Sequence, residues 1–277
     1  MRLRHRIPKG WTLDQVLHHY RVEKRIADRL RGSSRDERKT IYLTMYDELF
    51  REIPWHPRLA RRADERLTRS FIERKWKLVR PYVGDSTVFA EFGPGDCRFA
   101  FDVAAVARWV YGIDISDQRG DAGEAPGNFG LIIYDGYEVD LPDGSIDVVF
   151  SDQLLEHLHP DDTPHHLALV RRLLRTGGVY VVRTPHAYTG PHDISKFFSA
   201  EPEGFHLREW TFTDLFAALR EAGFRSVAGL LTIRGRPFEM PGWFFGLVER
   251  PQRPLPPRLR RVLSWKLLSS IAVVATK

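Results

Sequence analysis

Glu91, Gly93, Gly95 and Asp114 are the residues whose types and spacing could do chemistry; residues 88–116 read VFAEFGPGDCRFAFDVAAVARWVYGIDIS. Two glycines in a tight turn let a ligand come close to the backbone. An acid at the end of the next apolar run can accept hydrogen bonds from a ribose. A dinucleotide fingerprint needs a third small residue three positions after the second glycine, and Arg98 stands there instead. Glu91 and Asp96 flank the turn, so a pyrophosphate would meet like charge. The same residues disfavour a nicotinamide-dependent oxidoreductase. The ligand that fits is a nucleoside without phosphate that carries positive charge.

Such residues need a scaffold to hold them. Strand, glycine turn, helix, strand and acid make the first half of a doubly wound sheet. A further strand is expected at 131–134, ending at Asp135 and Gly136. Residues 146–150 (IDVVF) are apolar apart from Asp147, as in a parallel strand covered on both faces. Ser151, Asp152 and Gln153 follow at its carboxyl end. A helix is expected over 167–174, a strand over 179–182, a helix from Thr213 as cap to Ala222, and an antiparallel strand over 270–276. Before the sheet, Thr12 and Gln15 form a capping box ahead of Leu13, Val16, Leu17 and Tyr20. Tyr42, Met45, Tyr46, Leu49 and Phe50 make a second amphipathic stripe, and a third helix is expected from about Asp64 to Val79. The fold class expected is α/β: a doubly wound, Rossmann-like, seven-stranded and mostly parallel sheet with an N-terminal helical extension. Residues 1–82 are the extension or lid and residues 83–277 the nucleoside-binding domain.

The spacing from Glu91 to Asp114, then LPDGSIDVVFSDQLLEHLHPDD at 141–162 and LLRTGGVYVVRTPH at 173–186, closely resembles the type 11 family of class I S-adenosylmethionine-dependent methyltransferases. The resemblance spans roughly residues 85–230. It implies S-adenosylmethionine as cofactor, held by Glu91, Gly93, Gly95 and Asp114. It places Asp135 and Gly136 at the adenine, with Tyr137 or Glu138 as alternatives, and Ser151, Asp152 and Gln153 near the methionine end. Methyl transfer from a sulfonium is a direct displacement, so the protein mainly supplies alignment.

The loop TPHAYTGPHDISKFF at 184–198 should lie at the same sheet edge. A hydroxyl acceptor benefits from a base that titrates near neutrality, which points to His192 first and His206 second. The expected reaction is O-methylation of a small-molecule or glycan-linked acceptor. The alternative is a non-catalytic binding or scaffold protein that keeps this fold. His157, His159, His165 and His166 crowd together with Glu156, Asp161 and Asp162. Their spacings match no compact zinc pattern, and Pro160 and Pro164 break any shared helical face, so no metal is expected.

One cysteine, Cys97, excludes an internal disulfide and suits a reducing compartment. No signal-like segment opens the chain, and the apolar run 267–276 is about half a membrane span, so a cytoplasmic, soluble enzyme of biosynthesis is expected. Basic residues dominate 1–80 and the tail from 234, acidic ones the stretch between, for a net charge of +6. That asymmetry suits basic helices docked on an acidic body, with an anionic acceptor or an anionic membrane surface as the sharper alternative. No basic-aromatic motif calls for nucleic acid. For Trp243, Phe244 and Phe245 internal packing is the simplest reading, with peripheral membrane contact or closing of the acceptor pocket as alternatives.

Overall fold

A computed structural model describes residues 3–120, 122–233, 236–264, 268 and 270–277. Four helices precede the sheet: α1 (Leu13–Arg31), α2 (Arg35–Glu52), α3 (Pro57–Arg62) and α4 (Glu65–Val79). Side chains cap each one. Thr12 with Gln15 and Ser34 with Glu37 form reciprocal capping boxes, and His56 and Asp64 cap α3 and α4.

Then follow β1 (Val88–Phe92), α5 (Arg98–Ala104), β2 (Trp109–Asp114), β3 (Phe129–Ile133), β4 (Ile146–Asp152), α6 (Thr163–Leu173) and β5 (Leu174–Pro185). The chain ends with α7 (Phe212–Glu221), β6 (Ser226–Ile233), β7 (Arg236–Pro241), α8 (Gly242–Glu249), α9 (Pro257–Ser264) and β8 (Ser270–Thr276). The strands form one sheet in the order β3-β2-β1-β4-β5-β8-β6-β7. The first five run parallel, and β8 lies antiparallel between β5 and β6. The chain thus has the expected doubly wound sheet, with eight strands where the sequence suggested seven. The extra strand, β7, hairpins onto β6 at the outer edge. Its prolines argue against a strand in sequence, but an edge strand tolerates them because one side needs no ladder bonds. The apolar run from 267 begins outside the described residues and yields β8. No described helix is long and apolar enough to cross a membrane.

Strand alternation splits the core in two. Phe89, Val148, Phe150 and Val181 pack against Leu78 and Val79 of α4 and Phe99 and Val103 of α5. Ala90, Phe92, Val149 and Val182 face α6 and α7 on the other side. Of the three aromatics at 243–245, Phe245 packs internally, stacked on Phe212 at 3.8 Å between ring centres, whereas Trp243 is exposed. Thr211 caps α7 rather than Thr213, whose hydroxyl bonds Glu249 instead.

A third cluster joins Val22, Ile26, Tyr42, Met45, Tyr46 and Leu49 of α1 and α2 to Tyr137 and Phe205, on loops at the sheet's carboxyl edge. The roof is also clamped by charge. Arg38 pairs bidentately with Asp162 at 2.7 and 2.9 Å, and Tyr42 and Tyr137 donate to the same carboxylate. All four side chains are buried or nearly so, which makes this a desolvated ion pair with its remaining lone pairs filled.

Candidate active site

At the end of β1 the chain turns through Gly93 and Gly95, with φ of +68° and +60°. Only glycine enters that region without cost, and a Cβ on Gly95 would meet the Arg62 guanidinium at 3.4 Å. Parallel pairing of β1 with β2 brings Asp114 beside the turn. Its Oδ2 accepts the Gly95 N–H at 3.1 Å and its Oδ1 the Ile115 N–H at 2.8 Å. Each oxygen keeps a second lone pair, and Asp114 lines the cavity above, so a ribose diol fits it. Burial pushes the Asp114 carboxyl up to about 6, opposed by those backbone donors.

Glu91 lies beneath the turn rather than in the cavity wall. Lys75 of α4 donates to its Oε1 at 2.7 Å, and its Oε2 is buried without a partner. Burial pushes Glu91 up to about 7 despite Lys75. Asp135 turns back on the backbone, accepting from the Tyr137 and Glu138 N–H groups at 2.9 and 3.0 Å, with Lys39 at 3.3 Å. Gly136 does line the cavity at φ +91°, under the Tyr42 ring of the roof. At β4, Ser151 faces away and shares a hydrogen bond with Tyr180. Asp152 faces inward, held by Arg183 at 2.6 Å through both oxygens. Gln153, in the left-handed region at φ 58°, lines the cavity beside it.

The cavity holds about 630 Å³, within the ~300–1,000 Å³ typical of small-molecule sites. Its far end lies between α1, α3 and the loop after β5. His192 and His206 both border it, and one carboxylate fixes both: Glu209 accepts the His192 backbone N–H at 2.6 Å and His206 Nδ1–H at 2.8 Å. Burial lowers the pKa of His192. Burial also opposes charge on His206, but the Glu209 hydrogen bond and the Glu156 carboxylate hold its pKa above the usual value.

Sequence reasoning passed over much of this end. His19 donates to Glu23 at 2.6 Å, and His56 lies beside them; burial works against the Glu23 charge, yet these two histidines hold its carboxyl low. Arg58 donates to His157 Nε2 at 3.0 Å and lies over the Tyr46 ring. Arg61 lies over Phe71 at 4.1 Å. Among the described residues neither Arg58 nor Arg61 has a carboxylate within 4.0 Å. The available signal was RLARR at 58–62, which sequence reading absorbed into the general basic bias. Of the crowded histidines, His157 and Glu156 meet His206, His165 bonds the Tyr137 carbonyl, and His166 is buried against Phe92.

The methyltransferase-domain family model matches residues 90–182, from within β1 into β5. A probable S-adenosylmethionine-dependent methyltransferase of Mycolicibacterium smegmatis is 33% identical over 139 residues, covering 48% of this chain. The matched segment spans 50% of that relative's own length. Among solved structures, a chain from the Haloferax volcanii complex of a methyltransferase with its Trm112 activator aligns at TM-score 0.53 and 18% identity, over 77% of this chain and 94% of its own. A SAM-dependent methyltransferase from Archaeoglobus fulgidus aligns at TM-score 0.52 and 20% identity, over 76% and 94%. At such identities these two structures speak for the fold. Motif, strand order and the acid beside the glycine turn agree with that match: residues 90–182 form a methyltransferase domain similar to those of S-adenosylmethionine-dependent methyltransferases.

Proposed function

We propose that this chain transfers a methyl group from S-adenosylmethionine to a hydroxyl oxygen of a small-molecule or glycan-linked acceptor that carries an anionic group. The observation that carries the reading is one cavity with two chemically different ends. Asp114 and the glycine turn suit a ribose at one end, and His192, His206 and two guanidiniums without carboxylate partners among the described residues border the other. Cations drawn partly out of water are ordinarily paired, so the half-buried Arg58 and Arg61 suit a carboxylate or phosphate on the acceptor. Residues 1–82 act as the lid over the domain formed by residues 83–277.

When bound, S-adenosylmethionine supplies a methyl group on a sulfonium, open to in-line displacement. The chain's residues align and deprotonate. His192, kept neutral by burial, takes the proton of the attacking hydroxyl. Glu209 holds both histidines, and the aromatic roof excludes water. Incubating the full chain with methyl-labelled S-adenosylmethionine and a panel of anionic glycosides and phenols tests the reading. Label on an acceptor oxygen is expected; cofactor binding without transfer to any acceptor would leave a scaffold protein.

A further inference from the structure

Glu156, His157 and His206 meet at the acceptor end, and methyl transfer as described makes no use of them as a set. One ligand atom from each lies within 4.8 Å of the other two, and all three residues are buried. Hydrogen bonds set the tautomers. His157 Nδ1–H donates to the Phe205 carbonyl at 2.8 Å, and His206 Nδ1–H to Glu209 at 2.8 Å. In its neutral form each ring therefore keeps Nε2 as a lone pair. A backbone carbonyl or a carboxylate behind the imidazole is the arrangement found behind metal-bound histidines. Glu156 supplies an independent observation. Its Oε2 accepts the Thr184 hydroxyl at 2.9 Å, but Oε1 is wholly buried with no partner. A buried oxygen left open in this way needs a donor or an ion.

We propose that Glu156, His157 and His206 form a divalent-cation site, two imidazoles and a carboxylate, at the acceptor end of the cavity. That ligand set suits Zn²⁺, Mn²⁺, Co²⁺ or Fe²⁺ better than Ca²⁺. Three protein ligands leave positions for the acceptor's oxygens, and a coordinated hydroxyl loses its proton more readily. This catalytic use rests on the methyl-transfer reading, whereas cation binding does not. It also divides the histidines: His206 holds the cation and His192 receives the proton. The neighbouring group His19–Glu23–His56 is not such a site. His19 already donates to Glu23, and His56 Nδ1 accepts the Arg58 N–H, leaving its proton on Nε2. Arg58 is the competitor, since it occupies His157 Nε2 until the guanidinium turns away.

The test uses the full chain, stripped with chelator and titrated separately with Mn²⁺, Co²⁺ and Zn²⁺ without cofactor. Bound metal is counted after gel filtration, and the visible spectrum of the Co²⁺ form reports nitrogen ligation. One equivalent is expected in wild type. Binding should weaken at least tenfold in Glu156→Gln and His206→Asn, and ~10–100-fold in Glu209→Gln, which removes the carboxylate behind His206. Binding should persist in His19→Asn and tighten in Arg58→Ala. Should Glu156→Gln fail to fold by circular dichroism, His206→Asn and Glu209→Gln carry the test. Wild type that takes up no metal, or variants that keep it, would overturn the site. Because cofactor affinity is measured separately, a failed cation site leaves methyl transfer standing, and the reverse also holds.

Discussion

At the cofactor end, Gly95 and Asp114 are 19 residues apart and meet because adjacent parallel strands place their carboxyl ends side by side. At the acceptor end, His19 of α1, His56 before α3, His157 after β4 and His206 after β5 converge from across the chain. The first end is built from backbone: glycine conformations, two N–H donors and the strand register. The second is built from side chains held by other side chains, such as His206 by Glu209 and Asp162 by Arg38. A backbone-built site depends on few residues and belongs to the fold, while a side-chain-built site can change its chemistry one substitution at a time. The comparison explains how one sheet can hold a constant cofactor beneath a variable acceptor pocket.

The contrast can be broken at several points. The largest effect is expected for His192→Ala, with turnover falling ~10²–10⁴-fold, the usual worth of a positioned base. Cofactor affinity by calorimetry should stay unchanged, and undiminished turnover would remove His192 as base. Arg38→Met leaves Asp162 buried without its cation and should cost about 3–5 kcal/mol in denaturant unfolding. A loss under about 1 kcal/mol would mean that the roof is not clamped there. At the cofactor end, Asp114→Ala should weaken S-adenosylmethionine binding by ~1–3 kcal/mol through lost charged hydrogen bonds. Unchanged affinity would separate Asp114 from the ribose.

The smallest effect is a pH dependence. Burial raises Asp114 to about 6 and Glu91 to about 7. In the free protein these groups favour the folded state fully below the ordinary carboxylate range, and that contribution is lost as pH rises through about 6 and about 7. A cationic ligand favours the ionised carboxylates, so cofactor affinity should climb a few-fold across the same window. A flat calorimetric profile from pH 5 to pH 8 would show that neither carboxylate changes charge next to the cofactor.

Much of the fold was readable from the sequence, because its signals are local. Glycines at 93 and 95, the largely apolar run 146–150 and the Thr12–Gln15 cap each report their own neighbourhood, and each stands where expected. β7 was not readable, since its prolines hide a strand that only an edge position permits. Spacing also could not say which side of β4 each residue would face. Pleating sends Asp152 inward and Ser151 to Tyr180, one residue apart.

By itself, then, the sequence determined the doubly wound sheet, the glycine turn and the acid beside it. Backbone conformation and strand pairing follow from nearby residue types and apolar period. Only the tertiary structure decided the acceptor end. Glu209 beneath both histidines, Arg58 against His157, and Glu156 beside His206 are contacts between distant segments, and spacing along the chain carries no information about them. Their positions depend on how α1 to α4 close over the sheet edge, which is a property of packing as a whole.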